Sequence, residues 1–190
     1  MKKDNTRYPW YIKLFFWNQK RRYGQVLEPA KLWGKSPKVF AALALLYGAL
    51  DRKSSPIELS LRSPIELSLR SLITIRVSQI NWCKFCVDIN SMMVLKRGNS
   101  EEKLNDLENY QNSGLFSERE KAALNYAEKI TLSDKQVSDD DRLKLKEFFS
   151  NDDIIELTAL IAFQNMSSKF NAALDVEPQG FCKTDAKSPQ

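Results

Sequence analysis

The chain has 190 residues, 43% of them hydrophobic and 28% charged, enough apolar material to bury the core of one domain with a small appendage. It contains no histidine and only three cysteines, which excludes Ser-His-Asp and Cys-His catalysis, histidine-ligated zinc or haem, and a zinc site of four thiolates within one chain. The net charge of +5 is uneven: ten basic and two acidic residues through Lys38 give that stretch +8 and leave −3 for the rest, so a catalytic part beyond Lys38 is no polyanion binder.

Residues 1–35 read as a basic, aromatic arm, with Trp10, Tyr11, Phe15, Phe16 and Trp17 interleaved with Lys13, Lys20, Arg21 and Arg22. Such rings are expected to pack on the domain or on a neighbouring subunit while the cations stay solvated. A membrane surface is the next reading and nucleic acid is not expected. The polar start and the lack of a small-residue cleavage site give no secretory signal, and the longest apolar stretch, Val39 to Leu50, falls short of the about twenty residues of a span. A cytoplasmic protein is expected.

Six glycines and almost no strict apolar alternation point to an all-α fold, with a helical domain over 36–176. Ser36-Pro37 opens the first helix of that domain, faced by Val39, Leu43, Leu46 and Leu50. The octapeptide S-P-I-E-L-S-L-R then occurs twice in tandem, at 55–62 and 63–70, each copy with its own Ser-Pro-x-Glu helix start, so a break is predicted at Ser63-Pro64. Further helical faces run through Leu72–Ile80, Val87–Leu95, Ala123–Ile130 and Ile154–Ile161. Gly98 stops one helix, Ser117-x-x-Glu120 caps another, and Ser138 precedes three aspartates at the positive end of the next. Residues 177–190 read as a flexible tail, and Cys182 within it as incidental.

The chemical centre is Asn81-Trp82-Cys83-Lys84-Phe85-Cys86. With Asn81 as cap, the CxxC would fill the first turns of a helix reaching Leu95, where backbone N–H groups, the helix dipole and Lys84 favour a thiolate. An accessible, redox-active pair is expected from this placement, although two cysteines three apart can also be plain core residues. Arg76 is expected to be ion-paired, and Asp88 to pair with Lys84 four residues earlier. No cofactor and no metal is called for.

The run L-I-T-I-R-V-S-Q-I-N-W-C-K-F-C-V-D-I-N, the helix ending K-R-G and the later F-S-E-R-E-K-A-A-L-N-Y-A-E-K-I-T resemble the carboxymuconolactone decarboxylase superfamily, in its alkylhydroperoxidase D-like branch. The resemblance implies an all-α fold assembled as a trimer or hexamer, and a thiol peroxidase or disulfide oxidoreductase for antioxidant defence. Its substrate would be a peroxide and its reductant an external dithiol. Cys86 would attack and Cys83 resolve. Two positions depart from the pattern: Ser71 stands where the family has a relay glutamate, and Asn90 where it usually has histidine. An amide orients but accepts no proton. Glu66 is the nearest upstream carboxylate, but about 140° away around a helix from Ser71. The alternative is a non-catalytic or redox-sensing oligomer that has lost the relay.

Overall fold

The computed structural model describes residues 6–50 and 65–182, all of whose regular structure is helical. The chain forms two compact units, one through Arg52 and one from Lys53 onward. The helix that the sequence groups with the following domain therefore falls on the N-terminal side of the division.

In the first unit, α1 (Trp10–Tyr23), α2 (Glu28–Gly34) and α3 (Pro37–Leu50) surround a small core of Ile12, Ala30 and Phe40. Phe15 and Phe16 meet Phe40 edge-on, with centroids 5.0 and 6.5 Å apart. A side chain at Gly34 would lie 3.0 Å from the Tyr8 ring, so glycine permits the close approach of the N-terminal strand of chain to α2. Gly24, at φ 77°, ends α1. The aromatic arm is thus partly internal, yet Trp10, Leu14 and Trp17 remain exposed along one face of α1, with Arg21 stacked on Trp17.

The second unit is built around α4 (Leu67–Ile80), which packs against α5 (Lys84–Lys96), α7 (Glu118–Thr131) and α9 (Asn151–Ala173). The short α6 (Glu101–Asn105) and α8 (Asp139–Lys146) complete it. Helix α4 is buried on most of its circumference: Leu69, Leu72, Ile73, Ile75 and Val77 are at most 1% exposed, and the polar residues buried among them are hydrogen-bonded. Each such apolar side chain contributes about 1.5–3 kcal/mol of burial. Ser71 and Ser78, equally buried on α4, return their hydroxyl protons to Leu67 O and Thr74 O one turn back.

The cap at Ser117 forms the reciprocal Ser117–Glu120 pair read from the sequence, and the same arrangement closes on Asp141 from Ser138 and on Asp153 from Ser150. The second octapeptide departs from expectation. Instead of a helix opened by Ser63-Pro64, Ile65 is buried in the core, Glu66 is extended and α4 starts at Leu67. Arg70 holds that extended entry by donating from Nε to Ile65 O at 2.9 Å. The predicted break at Ser63-Pro64 lies outside the described residues.

Candidate functional site: the CxxC pair

Helix α4 ends at Asn81, whose backbone N–H donates to Val77 O, and the chain reverses through Trp82 at φ 55°. Asn81 therefore closes α4 and does not open the next helix, contrary to the sequence reading. Cys83 itself is the cap: its Sγ accepts the Cys86 backbone N–H at 3.1 Å, and its own N–H donates to Ser78 O. Cys83 and Cys86 are joined as a disulfide, Cα to Cα 5.1 Å, at the positive end of α5. They are 1% and 3% exposed, so the expected accessible pair is buried in this chain.

Behind the sulfurs lies a cluster of amides and hydroxyls. Asn171 of α9 donates from Nδ2 to Cys86 Sγ at 3.3 Å. Asn90 of α5 and Gln164 of α9 each donate to Ser78 Oγ at 3.0 Å, and Gln164 also donates to Ser168 Oγ. None of these five side chains titrates in the ordinary pH range. On α9, Gln164, Ser168 and Asn171 continue the inward face begun by Leu157 and Ile161. Polar residues in phase with an apolar stripe are the signal that the sequence carries for them.

Ser71 and Glu66 stand elsewhere. Ser71, fully buried, accepts from Arg97 Nη1 at the far end of α5, about 10 Å along α4 from Ser78. The Glu66 carboxylate is ion-paired with Arg119 at the start of α4. A helix of 14 residues, about 21 Å long, separates it from the turn that carries the thiols. Of the polar residues singled out around the thiols, the structure brings Asn90 to the cluster and leaves Ser71 and Glu66 outside it.

Other charges settle close by. Arg76 forms the expected ion pair, with Glu128 Oε1 at 2.6–2.7 Å. Lys84 does not pair with Asp88. It reaches Glu177 at 3.3 Å and Asp175 at 3.7 Å, and Glu177, by hydrogen bond and charge, holds its ammonium above the ordinary value. Asp88 instead accepts the backbone N–H groups of Gln179 and Cys182, both at 2.8 Å, while Phe181 packs edge-on against Phe85. Two N–H donors suit a carboxylate better than one solvated ammonium, and they tie down residues 177–182, which the sequence suggested were loose. Thr184 to Gln190 lie outside the described residues. Among the described residues no group of three acidic or cysteine side chains could hold a metal ion, and no helix is long and apolar enough to cross a membrane.

A central, mostly buried helix, a reversal and a CxxC opening the next helix define a fold seen in other proteins. The sequence profile of the carboxymuconolactone decarboxylase family matches residues 37–129. The uncharacterized protein YnjA of Escherichia coli K12 is 38% identical over 182 residues, 96% of each chain. In structure, the chain is similar to a peroxidase-related protein from Ralstonia eutropha JMP134, an alkylhydroperoxidase AhpD core, with TM-score 0.78 and 19% identity over 96% of this chain and 93% of that one. It is also similar to ATU0492 from Agrobacterium tumefaciens, with TM-score 0.67 and 26% identity over 77% and 94%. The chain belongs to the carboxymuconolactone decarboxylase family and has its AhpD-like all-α fold.

Proposed function

We propose that the protein is a thiol-dependent peroxidase of the alkylhydroperoxidase type, working in antioxidant defence as a cytoplasmic homotrimer or hexamer. The observation that carries this reading is the Cys83–Cys86 disulfide at the N-terminus of α5, where the helix dipole favours negative charge on either sulfur, the Cys86 N–H donates to Cys83 Sγ and Asn171 Nδ2 donates to Cys86 Sγ. In the reduced enzyme the Cys86 thiolate attacks a peroxide oxygen, releasing alcohol or water and leaving a sulfenic acid. Cys83 then attacks Cys86 sulfur, water departs and the disulfide forms. An external dithiol gives up two electrons and two protons to reset the pair. The exposed Trp10, Leu14 and Trp17 of α1 support association of subunits.

The second reading, a redox-responsive oligomer without turnover, is favoured by the burial of both sulfurs and by a cluster that holds no proton-accepting side chain. Peroxide consumption coupled to a dithiol decides between them. Turnover by the wild type that Cys86→Ser abolishes supports the peroxidase. Disulfide formation without turnover supports the sensor. Sedimentation tests the assembly, for which a monomer at micromolar concentration is the adverse result.

A further inference from the structure

The amide of Asn171 is 2% exposed and in contact with the Cys86 sulfur, and its two ends differ. Nδ2 donates to Cys86 Sγ at 3.3 Å, whereas Oδ1 is buried with no hydrogen-bond donor. Nearly all buried polar atoms in folded proteins are paired, so an orphan acceptor beside a redox pair calls for an explanation. The oxidation state supplies one, because a disulfide carries no proton to give and its sulfur is a weak acceptor for Nδ2.

We propose that Asn171 is the positioning residue for the Cys86 thiolate, its amide matched to the reduced pair. The proposal rests on the reading that Cys83 and Cys86 cycle between disulfide and dithiol. An external dithiol loses two electrons and two protons as it becomes a disulfide. The Cys83–Cys86 bond breaks, one proton stays on Cys83 sulfur, the other goes to solvent, and Cys86 sulfur keeps the negative charge. Nδ2 then donates to an anion, which strengthens the bond already in place. Before Cys86 ionises, the S–H on the sulfur that Asn171 touches is the kind of donor that Oδ1 lacks. Asn171 thus does by hydrogen bonding part of what a charged relay would do by proton transfer, and being neutral it acts at every pH at which the protein is folded.

The test uses the full chain carrying Cys83→Ser and Cys182→Ser, which leaves Cys86 as its one thiol while retaining a capping oxygen at position 83. Thiolate ultraviolet absorbance is followed against pH. Asn171→Leu, which removes the donor at similar volume, is expected to raise the midpoint by about one unit, roughly a tenfold loss of thiolate at lower pH. Asn171→Asp, of the same shape but anionic, is expected to raise it further by repulsion. Helical circular dichroism shows that each variant is folded, and should Asn171→Leu not fold, the smaller Asn171→Ala, which also removes the donor without adding charge, decides in its place. A midpoint unmoved from the parent overturns the proposal. Peroxide turnover by the unsubstituted chain is scored separately: no turnover with a shifted midpoint removes the peroxidase and leaves Asn171 its role, and turnover with an unmoved midpoint does the reverse.

Discussion

Asn90 donates its Nδ2 to Ser78 Oγ at 3.0 Å and so binds α5 to α4 one turn beyond Cys86, at a place where the family pattern usually has an imidazole. The contact is a cross-link between helices and supplies no base. Asn90→His should therefore convert a structural contact into a proton-accepting one and raise peroxide turnover by about tenfold or more, with a midpoint near the ordinary imidazole range, about pH 6.5. The dithiol-coupled assay across pH reads this directly. A flat profile with unchanged turnover would mean that proton transfer is not what limits the site.

Ser71→Glu is expected to behave differently. Position 71 is fully buried, and its hydroxyl accepts from Arg97 at 3.4 Å. A carboxylate there either pairs with Arg97 or is buried without compensation, and the second case costs several kcal/mol. The expected outcome is a loss of about 1–3 kcal/mol in urea unfolding, with no gain in turnover unless Asn90→His is also present.

The Arg76–Glu128 pair joins α4 to α7 with side chains 16% and 10% exposed. Removing one partner strands the other, so Glu128→Leu alone should cost about 3 kcal/mol. Arg76→Met together with Glu128→Leu should recover most of that loss, since neither charge is then left alone. Chemical denaturation of the two single variants and the double variant closes the cycle.

The parts of this molecule that were legible in the sequence are those fixed by local periodicity and capping. The apolar spacing of Leu72 to Val77, the Ser117–Glu120 box and the Gly98 stop all depend on neighbours a turn away. The CxxC was visible as spacing, but its surroundings were not. Asn171 lies 85 residues beyond Cys86, and Gln164 lies 86 beyond Ser78, so their meeting depends on how α9 crosses α4 and α5. Asn81 is ambiguous for a related reason: an asparagine suits either end of a helix boundary, and the turn at Trp82 decides which end it takes. Asp88 could be assigned to Lys84 by spacing alone, whereas its actual partners arrive from the C-terminal segment.

Asp141 sets an acid limb to stability. Burial pushes its carboxyl up, but hydrogen bonds from Lys129, Ser138 and Asn125 outweigh that and hold it well below the usual carboxylate range. A group depressed in the folded state contributes stability above its unfolded value, about pH 3.9, and loses that contribution as pH falls toward the folded value. Urea unfolding should therefore weaken progressively below about pH 4. Asp141→Asn should lower stability at neutral pH and flatten that acid limb. An equally steep limb in the variant would place the effect on other carboxylates.

Trp82 supplies the last expectation. Its φ of 55° is a conformation that bulky side chains rarely adopt, and the residue is 68% exposed, so little packing offsets the backbone cost. A left-handed non-glycine residue costs about 1–2 kcal/mol, while glycine loses more unfolded-state entropy, about 0.4–1 kcal/mol. The difference favours Trp82→Gly by roughly 0.5–1 kcal/mol. The same residue fixes the reversal from which Cys83 donates to Ser78 O and accepts from Cys86 N–H, so a freer backbone there should loosen the cap. Trp82→Gly is thus expected to raise the unfolding midpoint while increasing the rate at which a small dithiol reduces the disulfide. A variant that is less stable than the wild type would show that the exposed indole has a partner, and the natural place to seek it is a neighbouring copy of the chain.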